Sequence, residues 1–182
     1  MKKTALALTA ALVATLGLTA PAFAALKVGD AAPAFSIPVA KDGVVSTFSL
    51  KDALKSGPVV VYFYPKAFTG GCSLEAHQFS EAIPEFQAKH VSVVGVSTDD
   101  IDTLKRFSKE SCQGKFPVAS DNTQNVMKSY DAVMALRPDY ANRVSYVIAP
   151  NGKVIYNYQS LNPSRHVEKT LAALKDWSQS KK

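Results

Sequence analysis

Two short runs of β-branched and aromatic residues stand out in the chain, at positions 59–64 and 91–96. Almost continuous apolar runs of this length are typical of strands that are buried on both faces of a sheet. Between them, apolar residues recur at spacings of three and four, and this period predicts a helix from Cys72 to about Lys89. Pro84 lies inside that segment, so we expect it to kink the helix or to split it in two.

Capping residues predict two more helices in the middle of the chain. The polar run 98–100 precedes apolar residues at helical spacing and predicts a helix that ends near Cys112. Asp121, with Gln124 three residues later, resembles a capping box for a short helix that continues through Tyr130. Helices therefore alternate with the predicted strands, as they do in α/β domains.

The last part of the chain combines a hairpin with a helix. Residues 144–149 and 154–158 flank an Asn-Gly pair, which predicts a β-hairpin. Pro163 suits the first position of a helix, and the apolar positions that follow it at helical spacing are Val167, Leu171, Leu174 and Trp177. The order strand, helix, strand, helix, hairpin, helix predicts a single α/β domain in which helices flank a central mixed sheet.

The first 24 residues have a different pattern from the rest of the chain. Lys2 and Lys3 precede an uncharged apolar run, and residues 22–24 have the small-x-small sequence of a cleavage site. This arrangement is typical of a secretory signal peptide. We therefore predict cleavage after Ala24, a mature domain over 25–182, and a periplasmic or secreted protein. A retained membrane anchor is disfavoured because the apolar run is shorter than a membrane span requires.

Composition and charge narrow the classes of function. The 182 residues are 47% hydrophobic and 20% charged, as in a globular domain, and a domain of this size buries a core without disulfides. Without Lys2 and Lys3 the formal net charge falls from +6 to +4, and the other basic residues are scattered. This distribution favours a solvated surface over a nucleic-acid or membrane partner. The two cysteines need another explanation than holding the fold together.

The segment between the first predicted strand and its helix carries the candidate chemistry. It begins at Pro65 and ends at Cys72, which opens the helix. Unpaired amides and the positive end of the helix dipole favour a thiolate there, and the thiolate is the nucleophilic form of cysteine. Gly70 and Gly71 allow the backbone to approach a small ligand, and Thr69 places a hydroxyl next to the sulfur. A cysteine at a helix start is nevertheless weak evidence when it stands alone.

Four motifs resemble those of the peroxiredoxins, which are thiol peroxidases with a thioredoxin-like fold. The pattern Pro65-x-x-x-Thr69-x-x-Cys72 is similar to their active-site signature. Three further stretches match the family's opening segment, first core strand and arginine-bearing hairpin, and these are residues 28–35, 59–65 and 143–152. Because the four motifs occur in the family's order along essentially the whole mature chain, the chain is identified as a member of it. The segments FYP and VVGVST resemble the Q-type, or bacterioferritin-comigratory, branch.

The resemblance implies a role for each residue of the site. Cys72 would be the peroxidatic nucleophile, which attacks a peroxide oxygen and becomes a sulfenic acid. Thr69 would hydrogen-bond the peroxide, Pro65 would shield the sulfur, and Arg143 would stabilise the thiolate and the leaving oxygen. Glu75 matches a glutamate of the family's motif and would orient Arg143. Alternatively, Glu75 is a solvated first-turn residue that only favours the helix dipole. We expect neither a cofactor nor a metal.

The second cysteine leaves several interpretations open. Many Q-type members carry a second cysteine five residues after the first, and His77 occupies that position here. Other branches place the resolving cysteine in the next helix, where Cys112 lies, so the resemblance implies a disulfide between Cys72 and Cys112 of one chain. The alternatives are an inert buried thiol and a permanent disulfide formed in an oxidising compartment.

Three functions compete at this point. The first is a peroxidase for hydrogen peroxide and/or organic hydroperoxides, a monomer or weak dimer that a thioredoxin-like or other dithiol reductant recycles. The second is a peroxide sensor that passes oxidation to a partner thiol. The third is a copper or zinc module based on Cys72 and His77. It is disfavoured because two ligands are too few and because His90 and His166 have no ligand spacing.

Overall fold

The computed structural model describes residues 25–180, so the predicted signal peptide lies outside the described residues. Within that range the chain forms nine strands and five α-helices. In chain order they are β1 (Ser36–Lys41), β2 (Val44–Ser49), α1 (Leu50–Ala53), β3 (Val59–Phe63), α2 (Gly70–Ala88), β4 (Ser92–Ser97), α3 (Ile101–Glu110), β5 (Val118–Ser120), α4 (Asn125–Ser129), β6 (Val133–Met134), β7 (Arg137–Ala141), β8 (Val144–Ile148), β9 (Val154–Gln159) and α5 (His166–Gln179). A 3₁₀ turn, Pro163–Arg165, leads into α5. None of the helices in this part of the chain is long and apolar enough to cross a membrane.

Seven strands form one mixed sheet with the order β2-β1-β5-β4-β3-β8-β9. Strands β3, β4 and β5 run parallel, whereas β8 is antiparallel to β3, and β9 to β8. Parallel neighbours need a long crossover connection, and α2 and α3 provide one between each pair. The predicted α/β class, with a mixed sheet flanked by helices, is confirmed.

The central strand β3 divides its side chains between two cores. Val60 and Tyr62 belong to the cluster beneath α2, α3 and α5, whereas Val59, Val61 and Phe63 belong to the cluster on the opposite face. All five residues are at most 1% exposed. A strand that is covered on both faces has no reason to alternate in polarity, which explains its continuous apolar run.

Close packing at the centre of the sheet positions α2 over β3. The ring of Tyr62 stacks on Phe79 of α2 with centroids 4.3 Å apart. On the neighbouring strand, a Cβ at Gly95 would lie 2.7 Å from the Tyr62 ring. Because only glycine leaves room for that ring, Gly95 allows Tyr62 to pack between β4 and Phe79 of α2.

The structure differs from the sequence-based expectations in two helices. Pro84 does not split α2, because Ile83 and Phe86 on either side of it are buried in the same cluster and keep the helix continuous. The capping box is wrong as predicted, since α4 begins only at Asn125. The Asp121 carboxylate still accepts hydrogen bonds from amides of the first turn of α4, but it does so from a turn that precedes the helix.

Candidate active site

The loop between β3 and α2 is tied to the segment that follows β4. The Ala67 amide donates to Asp99 Oδ2 at 2.8 Å, and Ser97 at the end of β4 donates to the same oxygen. Phe68 has a φ of +62°, a conformation that non-glycine side chains adopt with strain. Strained backbone of this kind persists only where the surroundings hold it in place. The loop therefore presents a defined backbone to the start of α2.

Pro65 and Thr69 lie in this loop as the sequence predicts. Pro65 is half-buried and follows β3 after one residue. Thr69 is the N-cap residue of α2, and its exposed hydroxyl donates to the Lys66 carbonyl at 3.0 Å. Since this bond uses the only hydroxyl proton of Thr69, the lone pairs of its oxygen remain able to accept.

Cys72 lies in the first turn of α2 and is 1% exposed. Arg143 Nη2 donates a hydrogen bond to its Sγ at 3.2 Å. A Cβ at Gly71 would lie 3.3 Å from the same nitrogen, so the absence of a side chain there gives Arg143 room to reach the sulfur. A buried sulfur that faces a guanidinium at a helix start is well placed to carry negative charge.

The Arg143 guanidinium is held by three separate acceptors. Its Nε donates to the Leu161 carbonyl at 3.1 Å, its Nη1 to the Glu75 carboxylate, and its Nη2 to Cys72. The residue precedes β8 and is 5% exposed. Because each nitrogen points at a different partner, the planar guanidinium has one orientation, which the single ammonium of a lysine would not reproduce.

Glu75 is fully buried, one turn beyond Cys72 on the same face of α2. The interpretation as a solvated first-turn glutamate is therefore wrong, and the predicted contact with Arg143 is present. Burial raises the pKa of Glu75 to about 8, although Arg143 opposes the shift. Its Oε1 has no hydrogen-bond partner and lies 3.5 Å from His166 Nδ1.

His166 is a buried member of this site that the sequence analysis missed. It begins α5, and its Nε2 lies 2.9 Å from the Ser160 carbonyl while its Nδ1 lies 2.8 Å from Ser145 Oγ. A carbonyl only accepts, so Nε2 carries the proton and Nδ1 accepts from the serine hydroxyl. Burial lowers the pKa of His166 to about 4, and the ring is neutral at physiological pH. A polar residue at a core position gives no signal in a hydropathy pattern.

Cys112 follows α3 and belongs to the same apolar cluster as Cys72. Both thiols are free and buried, and burial raises the pKa of the Cys112 thiol well above its ordinary value. The Ser73 and Ser111 hydroxyls, each adjacent to one of the cysteines, lie 3.4 Å apart. Ser80 donates to the Cys112 carbonyl at 3.0 Å. These bonds hold the Cys112 segment along α2, directly beyond Cys72.

His77 contributes to the contact between α2 and the Cys112 segment, and it is not part of a cluster of metal ligands. Its Nδ1 lies 2.9 Å from Gln113 Nε2, which ties the exposed face of α2 to the residue after Cys112. Between residues 25 and 180, no group of three or more His, Cys, Asp and Glu side chains is placed to hold a metal ion.

The fold and the site together define a class of protein. A thioredoxin-like sheet carries a buried cysteine at a helix start, and a fixed guanidinium faces its sulfur. This is the arrangement of an enzyme that uses a thiolate as its nucleophile.

Comparison with known proteins identifies the family. The AhpC/TSA family profile matches residues 28–157. The chain is 35% identical over 154 residues to chloroplastic peroxiredoxin Q of Populus jackii, which covers 84% of this chain and 70% of that protein. It is 33% identical over 156 residues to peroxiredoxin Bcp of Escherichia coli K12, which covers 83% of this chain and 97% of that protein. The crystal structure of peroxidoxin BcpB from Mycobacterium tuberculosis has a TM-score of 0.75 at 30% identity and covers 83% of this chain and 97% of that one.

The chain belongs to the AhpC/TSA family, and it is a peroxiredoxin, a thiol-dependent peroxidase. The predicted family, its Q-type branch and the enzyme class are confirmed.

Proposed function

We propose that this peroxiredoxin reduces hydrogen peroxide and organic hydroperoxides with Cys72 as its nucleophile. The Cys72 thiolate attacks one peroxide oxygen, the O–O bond breaks, and the products are a Cys72 sulfenic acid and a hydroxide or alkoxide that takes up a proton. The observation that carries the proposal is the contact between Arg143 Nη2 and Cys72 Sγ at 3.2 Å. The guanidinium stabilises charge on the sulfur before attack and on the leaving oxygen during it.

Thr69 and Pro65 would complete the peroxide site. The Thr69 hydroxyl donates to Lys66, so we assign it as the acceptor of the peroxide's O–H proton. Pro65 offers no amide hydrogen, and we assign it the role of limiting the access of water to the sulfur. Together they would orient the peroxide with one oxygen toward the sulfur and the other toward Arg143.

Cys112 is our candidate for the resolving cysteine. Its thiolate would attack the sulfur of the Cys72 sulfenic acid and form a disulfide within the chain, while the hydroxyl leaves as water with the proton that Cys112 releases. The shared apolar cluster and the serine contacts between the two segments support this pairing. Cys112 is buried at 0% exposure, so the end of α3 and the start of α2 must loosen before the two sulfurs meet.

The compartment and the reductant form a separate part of the proposal. The basic start, uncharged apolar run and Ala-Phe-Ala site support cleavage after Ala24 and a periplasmic or secreted enzyme. A thioredoxin-like or other dithiol protein of that compartment would then reduce the disulfide. N-terminal sequencing of protein from the cell envelope should begin at Ala25, and a mature protein that starts at Met1 or Lys2 would contradict this part.

A peroxide-consumption assay on residues 25–182 tests the function itself. With dithiothreitol, and then with a thioredoxin, the protein should consume many equivalents of peroxide, and Cys72→Ser should consume none. Consumption of a single equivalent with excess reductant would support the peroxide sensor instead.

A further inference from the structure

A continuous line of buried polar groups extends from Cys72 to the start of α5. Arg143 contacts the sulfur and the Glu75 carboxylate, and Glu75 Oε1 lies 3.5 Å from His166 Nδ1. The line ends at the Ser160 carbonyl, 2.9 Å from His166 Nε2. Glu75 and His166 are both 0% exposed. The proposed peroxide chemistry involves only Cys72 and Arg143 of these groups.

The charges in this line do not balance without one more proton. If Cys72 is a thiolate and Glu75 a carboxylate, Arg143 is one buried cation that faces two buried anions. An uncompensated charge is costly in such surroundings. One additional proton at Glu75 makes the group of Cys72, Arg143 and Glu75 neutral. The positive charge of Arg143 then stabilises the negative sulfur.

The hydrogen bonds indicate where that proton lies. His166 Nε2 donates to a carbonyl, so Nδ1 offers only a lone pair. Glu75 Oε1 is the unpartnered buried oxygen that faces Nδ1. If Glu75 is ionised, Oε1 and Nδ1 are both acceptors and form no hydrogen bond. If Glu75 is protonated, Oε1 donates to Nδ1, and the other carboxyl oxygen still accepts from Arg143. The Ser145 hydroxyl donates to the same lone pair and therefore competes for it.

Few other titratable groups lie near Glu75 and His166. Among the described residues, Tyr158 of β9 packs its ring on His166 at 4.8 Å, and Tyr62 of β3 lies close enough to Glu75 to feel its charge. Arg165 and Glu168, which lie before and after His166 in the sequence, are exposed, and their side chains are 3.5 Å apart. Arg143 contacts both Glu75 and Cys72, and the charge of Glu75 therefore acts on the sulfur through it.

We propose that His166 is a positioning residue of the peroxidase, which accepts a hydrogen bond from a protonated, neutral Glu75, so that the charge of Arg143 stabilises the Cys72 thiolate. The proposal rests on Cys72 being the peroxidatic nucleophile. Removing the acceptor would favour the ionised Glu75, which then competes with the thiolate for Arg143. The thiolate would consequently form only at higher pH.

The experiment measures the pH dependence of the Cys72 thiolate by its ultraviolet absorbance, together with single-turnover peroxide reduction. His166→Leu should move both profiles upward by about one pH unit, a tenfold loss of thiolate at a fixed lower pH. His166→Asn, which can present a carbonyl oxygen near the position of Nδ1, should show profiles close to those of wild type. His90→Asn is the matched control at an exposed histidine and should leave both profiles in place.

Two further variants separate this role from a structural one. In a Glu75→Gln background, which cannot ionise, His166→Leu should cause no further shift, because both changes act on the same proton. Ser145→Ala removes only the competing hydroxyl, and it should move the profiles to lower pH even if His166→Leu does not fold.

The outcomes are distinct from those of the proposed function. Unshifted profiles in folded His166→Leu, an equal shift in the Glu75→Gln background, or an upward or absent shift in Ser145→Ala would overturn the role of His166. Peroxidase activity that survives Cys72→Ser would instead overturn the proposed function.

Discussion

Cys72 and Cys112 lie in the same apolar cluster, and both are at most 1% exposed, yet their surroundings prepare them for different chemistry. Cys72 is in the first turn of a helix, with a guanidinium nitrogen 3.2 Å from its sulfur. Cys112 follows the end of a helix, and burial raises the pKa of its thiol well above its ordinary value. Burial alone therefore does not decide the reactivity of a cysteine. Its position relative to helix ends and fixed cations does.

The largest expected effect is that of Cys72→Ser. Peroxide reduction should fall by roughly a thousandfold or more, because the serine hydroxyl does not ionise near neutral pH. The fold should remain, since the change replaces sulfur by a smaller atom, and circular dichroism checks this. Peroxide loss with excess dithiothreitol is the measurement. Activity above a few per cent would mean that the two cysteines have been assigned the wrong way round.

Arg143→Lys tests whether the cation makes the difference between the two thiols. The lysine keeps the charge but not the three-way geometry, so the single-turnover rate should fall by about a hundredfold and its pH profile should move upward. Arg165→Lys, at an exposed arginine, is the matched control. If the pH profile stays in place, another group must stabilise the Cys72 thiolate.

Cys112→Ser should separate the first step of the reaction from the second. The first turnover should stay within about threefold of wild type, because the Cys72 site is unchanged, while recycling by a dithiol protein is lost and overoxidation to sulfinic acid comes sooner. Mass spectrometry of wild type after one equivalent of peroxide should find a Cys72–Cys112 disulfide. A free Cys112 thiol there, or normal recycling of the variant, would make this a one-cysteine peroxidase.

The last expected effect is on stability rather than on the rate of peroxide reduction. The pKa of Glu75 is raised in the folded state to about 8 from an ordinary 4.5, so folding is favoured by the protonated form. Relative to Glu75→Gln, the unfolding free energy of wild type should therefore fall as pH rises between these values, by up to about 5 kcal/mol. Glu85→Gln, exposed on the same helix, is the control. Urea denaturation across this pH range measures the difference, and a constant difference would show that Glu75 is ionised throughout.

The buried strand β3 could be predicted from the sequence, whereas the hairpin of β1 and β2 and the short strand β5 could not. The sequence of β3 is continuously apolar because both faces of the strand are buried. The hairpin of β1 and β2 was not predicted, since Val44 and Val45 of β2 are exposed and no alternation appears. Its turn, Asp42-Gly43, has positive φ angles at both positions and a sequence that favours such a turn. β5, with three residues, is too short to show any period.

Part of the candidate site could be predicted from the sequence, and part of it could not. Pro65, Thr69 and Cys72 are neighbours along the chain, so their spacing alone carries a signal. Glu75 and Arg143 lie 68 residues apart and meet only through the fold, so their pairing came from the family resemblance. His166 was missed because the buried stripe of α5 contains His166 and Thr170 besides Leu174, and two of these three are polar.

The loop after β9 holds the site through its backbone. The Leu161 carbonyl accepts from Arg143 Nε, and the Ser160 carbonyl accepts from His166 Nε2, while the Leu161 side chain is 65% exposed. Every amino acid supplies a carbonyl, so the identity of the exposed side chain at position 161 is of little importance to the geometry. The number of residues between β9 and α5, however, decides where both carbonyls lie. Point substitutions at position 161 should be tolerated by the enzyme, whereas inserting or deleting one residue in the loop would displace the arginine and the histidine together.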